Sequence, residues 1–234
     1  GFMAGKGATG NNSGNTGVGK DALLAITTGN SNTAVGTGAL IACTTGENNV
    51  AIGFQACDGT DDGVRNVAIG YAAGSANLQT DNVVIGYQAG LTSTGPNNVC
   101  IGSNVMVDVD ANSTVSNSGS NVLIGTNAGS GTWSANAKEG LVGLGTSVLA
   151  GALHSDANGA TAVGHFALTA LTSGIGNTAV GYQAGMAVTG SGYNAYIGYE
   201  AGEANTGQSN TAVGYRALAD ASADVDGCVA IGYL

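Results

Sequence analysis

The 234-residue chain predicts an all-β fold, a parallel β-solenoid of about thirteen coils, on three observations. One phrase, Asn-Thr/Val-Ala-Val/Ile-Gly-Tyr-x-Ala, returns thirteen times, mostly every 16 or 17 residues, as in NTAVGTGAL (32–40), NVAIGFQAC (49–57), NVVIGYQAG (82–90) and NTAVGYQAG (177–185). Self-similarity at a short fixed period marks a repeat architecture. Glycine supplies 42 residues and proline only one, which disfavours long helices. Val, Ile and Leu keep a fixed phase through the glycine, and there is no Gly every third residue, so linker and collagen readings both fail.

Each phrase resolves into positions around a central glycine at 19, 36, 53, 70, 86, 102, 125, 145, 164, 181, 198, 214 and 232. The residue before it is β-branched in twelve of thirteen copies, Leu144 being the exception. Two residues earlier stands Val or Thr again, with a small residue between, such as Ala34, Ala51 or Ala179. That period of two predicts a strand of four or five residues with the branched pair on one face and Ala on the other. The glycine then bends the chain. Three residues on comes Ala in ten of twelve complete copies, usually followed by Leu or Gly, which predicts a second short strand packed too closely for a larger side chain. A Gly/Asn/Ser/Thr stretch, such as TTGNS (27–31), turns the chain back.

One such unit buries nothing alone, but stacked units bond to neighbours above and below. At about 4.8 Å per coil, thirteen coils make a rod on the order of 60 Å long. Asn opens ten of the thirteen phrases (15, 32, 49, 66, 82, 98, 121, 177, 194 and 210) and predicts a ladder of side-chain amides. The residue after the glycine is Phe54, Tyr71, Tyr87, His165, Tyr182, Tyr199, Tyr215 or Tyr233 in eight copies, which predicts ring packing along the rod, with a sugar platform as the rival reading. The whole chain, 1–234, reads as a single repeat domain: 1–102 regular, 103–163 with longer loops where the spacing stretches to 23, 20 and 19 residues, and 164–234 regular.

Net charge is −10, from 15 acids against 5 bases, which argues against nucleic acid and against electrostatic attachment to anionic membranes. No run approaches the roughly 18 apolar residues of a membrane span. The acids lie between phrases and read as a solubilising surface. The clusters DGTDDG (58–63) and ADVDG (223–227) gather the oxygens a calcium loop needs, but neither has a complete loop spacing, so no cofactor is expected. Cys43, Cys57, Cys100 and Cys228 read as free. Cys100 and Cys228 sit several coils apart, and Cys43 and Cys57 are about 10 Å out of phase in extended chain, beyond the roughly 7 Å limit between Cα atoms.

Loops on a solenoid often carry binding. The only tryptophan, Trp133, lies in the second stretched segment, where it either contacts a receptor or covers a widened coil. Asp108 and Asp110, two apart in the first stretched segment, are further receptor contacts or the acid pair of a glycan-cleaving enzyme. No nucleophile, phosphate-loop, zinc-spacing or paired-carboxylate motif accompanies them, so no catalysis is expected.

The phrase, carried by residues such as Asn177, Thr178, Val180, Gly181, Tyr182 and Ala184, resembles the head repeats of trimeric autotransporter adhesins. It resembles still more the NTAVGYxAL arrays of phage tail fibres. The resemblance implies a left-handed β-roll in a homotrimer, extracellular, on a virion or cell surface, spacing or presenting a surface that binds a host glycan or protein. Trimerisation also has a physical argument: both strand faces carry apolar or small residues, more than a thin coil interior covers. An ice-binding solenoid, built on ladders of Thr and Asn, is the alternative.

Overall fold

The computed structural model describes residues 4–5, 12–92, 95–107, 118–133, 139–154, 156–220 and 225–233. Among them are thirteen strands: β1 (Thr16–Val18), β2 (Thr33–Val35), β3 (Val50–Ile52), β4 (Val67–Ile69), β5 (Val83–Ile85), β6 (Val99–Ile101), β7 (Val122–Ile124), β8 (Val142–Leu144), β9 (Thr161–Val163), β10 (Thr178–Val180), β11 (Ala195–Ile197), β12 (Thr211–Val213) and β13 (Val229–Ile231). They form one parallel sheet in sequence order, a solenoid of about 11 turns rather than thirteen closed coils. Register is strict. Val50 pairs with Val67, Ala51 with Ala68 and Ile52 with Ile69, and the first pairing on each side of a stretched segment keeps the same phase, as in Val99–Val122 and Val142–Thr161. The stretched segments therefore do not shift the ladder.

Each strand has three residues, not four or five. The first strand residue donates forward, as Thr33 N–H does to the Asn49 carbonyl at 2.8 Å. The glycine donates backward, as Gly53 N–H does to the Val35 carbonyl at 2.8 Å. In β2 to β12 the middle residue is buried and the outer two are half-buried or exposed, so the small residue faces the core and the branched pair faces out.

The expected second strand is absent. The segment after each glycine is a run of turns in which alternate residues adopt left-handed backbone. In the twelve complete copies φ lies between +49° and +70° two residues past the glycine, as at Gln55 and Arg216, and between +48° and +62° four residues past it, as at Leu40 and Met106. Alternation reverses successive amides, so the segment still bonds both neighbours. Gln55 N–H donates back to Thr37 at 2.9 Å, and Leu40 N–H donates forward to Ala56 at 3.0 Å. This accounts for the Leu-or-Gly preference at the fourth position. A left-handed non-glycine residue costs about 1 kcal/mol or more, and burying a leucine returns about 1.5–3 kcal/mol. Leucine is retained where there is room for it.

Room is set by whichever side chain already fills that slice of core: the middle strand residue where it is large, and otherwise a neighbour, as Leu78 does at Gly74 over Ala68 and Tyr196 does at Gly185 over Ala179. Leu149 and Leu168 accompany Gly143 and Ala162, whereas Gly90, Gly129 and Gly202 accompany Val84, Leu123 and Tyr196. A Cβ on Gly129 falls 2.6 Å from Leu123 Cδ1, and one on Gly202 falls 2.4 Å from the Tyr196 ring. Ile26, Leu78, Trp133, Leu153, Leu171 and Val188 fill the rest of the interior.

The Asn row is a ladder, with a division of labour the phrase alone did not show. The side-chain oxygen accepts the backbone N–H of the corresponding residue one coil on, as Asn49 does from Asn66 at 2.9 Å and Asn121 from Leu141 at 3.0 Å. In most copies the side-chain NH₂ caps a turn carbonyl one coil on, as from Asn49 to Gly63 at 2.7 Å. Direct amide-to-amide bonds, such as Asn49 to Asn32 at 3.1 Å, are the additional contact.

Candidate interaction surface

Three outward rows run along the rod. The first and third strand residues supply two, the first of Thr or Val and the second of Val or Ile. The third lies just past the bend and carries the rings. Packing of Ala toward the core forces this arrangement, because residues two apart on a strand share a face. The outward aliphatics are substantially exposed: Ile52 at 39%, Ile124 at 36% and Ile197 at 43%. So are the rings, from Tyr182 at 37% to Tyr87 at 51% within the body of the rod.

The rings stack on one another. Phe54, Tyr71 and Tyr87 form one stack with centroids 5.2 and 5.3 Å apart. Tyr182, Tyr199, Tyr215 and Tyr233 form a second, at 5.0, 5.4 and 5.2 Å with interplanar angles of 15°, 7° and 10°. Stacking occupies the ring faces, so the rows present edges and hydroxyls to solvent and a sugar-stacking platform is not available within them. His165 caps the second stack edge-on to Tyr182 at 5.7 Å and lies over Phe166 at 3.9 Å. Between the stacks the row holds Ser103, Thr126 and Thr146. The three coils between the stacks are the ones that begin the stretched segments; the last of them has Leu141 in place of the ladder Asn, and the phrase after it has Ala160.

The sequence-derived contact residues do not meet on this surface. Trp133 is 1% exposed and belongs to the core; its ring approaches Gly129, where a Cβ would lie 3.0 Å from Cζ2. It fills a widened coil, and its burial removes it from contact with a receptor. Asp108 and Asp110 lie outside the described residues. The segment 58–63 is used internally: Asp61 accepts from Thr44 and takes an amide oxygen from Asn77 at 3.0 Å on its own N–H. Among the described residues, no three His, Cys, Asp or Glu side chains gather as a metal set. Two cavities, of about 230 and 390 Å³, open at the two ends of the coil core, against Leu23 and Ile26 and against Leu218 and Ala230.

Cys43, Cys57 and Cys100 are free and buried, and Cys228 is free and half-buried. Burial is the main cause that raises the Cys43 thiol to about 11 and the Cys57 and Cys100 thiols to about 12, and it carries Tyr196 to about 12. One thiol of the four is therefore expected to react with a disulfide reagent in the folded protein and all four in denaturant. These acids hold their protons more tightly folded than unfolded. Their contribution is complete below pH 9 and is lost as pH climbs through 11 to 12. Urea midpoints should accordingly fall from pH 9 upward; a midpoint flat to pH 11 would contradict the buried-thiol assignment.

On the exposed side, Arg65 pairs bidentately with Asp81 on the next coil at 2.6 and 2.8 Å, which holds the Asp81 carboxyl below the usual carboxylate range. Arg216 bridges Glu200 and Asp220 at 3.3 and 3.1 Å. Comparison of the chain with known protein families, curated proteins and solved structures gives no match.

Proposed function

We propose that this chain is a segment of a structural and adhesive fibre: a left-handed β-roll that assembles side by side as a homotrimeric rod, outside the cell on a virion or cell surface, and spaces or presents a surface that binds a host glycan or protein. One observation carries the reading, the long, largely apolar outer strip made by the Val/Ile row of the sheet and the rings beside it. Seven half-exposed rings alone offer on the order of 700 Å², close to the roughly 800 Å² per partner of a standard interface, and the aliphatic rows add to it. A soluble monomer rarely leaves so long an apolar strip uncovered. The repeat resemblance supplies the trimer, the handedness and the extracellular setting, and those are part of the proposal.

Sedimentation equilibrium of the purified chain is expected to give three times the chain mass. Ile124→Lys combined with Ile197→Lys should cut the assembled fraction more than tenfold, because a charge buried at an apolar contact is costly. It should leave the far-ultraviolet circular dichroism unchanged, because both side chains point away from the core. A monomeric parent chain would overturn the proposal.

The outward placement of Thr16, Thr33, Thr161, Thr178 and Thr211 favours a second reading, an ice-ordering face. The same row holds Val from β3 to β8, which breaks the hydroxyl lattice across its middle. A clear thermal hysteresis of the purified protein would favour it over the fibre.

A further inference from the structure

A surface built of identical rows gives two copies many nearly equivalent ways to lie together. A slip of one coil, about 4.8 Å, still sets an aliphatic side chain against an aliphatic side chain along the Val/Ile row. In that row it forfeits contact only at the ends. Register between strands is weakly specified wherever side chains repeat without variation, and a slipped contact does not close into a ring but runs on as an open array. A rod that assembles through this face needs something aperiodic on it.

The ring row opens on Lys20 and Thr37 and carries one large interruption within its body. It runs on as Phe54, Tyr71, Tyr87, then Ser103, Thr126, Thr146, then His165, Tyr182, Tyr199, Tyr215, Tyr233. The three central side chains are short, with Ser103 half-exposed and Thr126 and Thr146 exposed, while the rows flanking them continue with Ile101, Ile124 and Leu144. The gap is therefore confined to the ring row, three coils tall and bounded by Tyr87 on one side and His165 over Phe166 on the other.

We infer that this gap sets the axial register in which copies of the chain pack together. Copies at equal height align gap with gap, and every ring meets a ring. A one-coil slip drives a ring of one copy over a hydroxyl of the other at both margins of the gap, so each margin loses a ring contact and desolvates a Ser or Thr hydroxyl without a partner. The penalty is the same at every protein–protein contact in the assembly, whereas the loss at the rod ends shrinks as a fraction of the whole. This inference rests on the assembly proposed above, and the occupant of the face is a second copy of this chain.

The test uses the full chain with Lys20→Cys as a spin-label site at one end of the same row and Cys228→Ser to remove the half-buried thiol. In that parent, dipolar spectroscopy is expected to give a single interchain distance. Filling the gap with Ser103→Tyr, Thr126→Tyr and Thr146→Tyr is expected to add distances longer by coil increments, together with assemblies heavier than the parent's in sedimentation. The milder Thr126→Tyr alone, one exposed side chain, should do so to a smaller degree and guards against misfolding of the triple variant. A filled variant that keeps one distance and the parent's mass overturns the register role while leaving the assembly intact. A parent with many distances overturns it too, and a monomeric parent overturns the assembly itself.

Discussion

Replacing Gly181 by alanine is expected to unfold the coils around it, lowering the melting temperature by more than 10 °C. The central glycines form a column in which each backbone lies against the next. A Cβ on Gly181 falls 2.1 Å from the Gly198 carbonyl oxygen, and the same replacement at Gly36, Gly53, Gly125 or Gly198 gives 2.2 Å to its neighbour. The obstacle is backbone held by the ladder, so it has no rotamer by which to yield. The position also has φ of +142°, a region open almost only to glycine. Overlap and strain together should exceed about 4 kcal/mol, the range reserved for such failures, and for a chain of this length about 1 kcal/mol moves the midpoint by about 2–4 °C. Gly232 separates the two causes. It has φ of +130° but nothing within 4 Å of its added Cβ, so Gly232→Ala should show the strain alone and cost far less. Equal losses at Gly181 and Gly232 would show that close stacking is not what the column requires.

The two glycine roles explain how much of the fold could be read from the chain. The period, the strand and the parallel stack were legible because Val, Ile and Ala alternate with a period of two around each glycine. The absence of a second strand was not, because Gln55, Cys57, Leu40 and Leu168 are ordinary residues in left-handed backbone, and no side chain announces that conformation. The one available signal was the exchange of Leu for Gly four residues past the bend. It follows the size of whatever side chain fills the same slice of core, six residues earlier at Gly202 under Tyr196 but four residues later at Gly74 beside Leu78, so no single spacing reveals it. Trp133 stayed ambiguous between a contact and a core residue for a different reason. It stands among Gly, Ser, Thr and Asn, the composition of a surface loop, but the loss of the Leu side chain at Gly129 opens the space that its ring takes. The apolar outer face was legible as a surplus of branched residues. The gap in the ring row was legible as well, but its meaning depends on the row being exposed and otherwise continuous, which the fold had to supply.

The second large effect lies in the amide ladder. Asn49→Ala is expected to cost about 2–6 kcal/mol, since it strands two buried groups at about 1–3 kcal/mol each: the Asn66 N–H, which its oxygen accepts at 2.9 Å, and the Gly63 carbonyl, which its NH₂ caps at 2.7 Å. Asn32 is spared, because its oxygen still receives the backbone N–H of residue 49 at 2.9 Å. The chain has made a related exchange itself at Leu141, and there the Leu141 N–H is still accepted by Asn121 at 3.0 Å. A break therefore propagates in one direction only, toward the following coil, and hydrogen exchange should quicken at Asn66 more than at Asn49. Asn15 makes the matching pair of bonds, from Asn32 N–H and to the Gly29 carbonyl, both at 2.8 Å, but at the half-exposed first coil. Water replaces its amide there, so Asn15→Ala should cost less than half as much by urea unfolding. A loss at Asn15 as large as that at Asn49 would mean that the amides act through the stacking of the ladder as a whole rather than through the two groups each one satisfies.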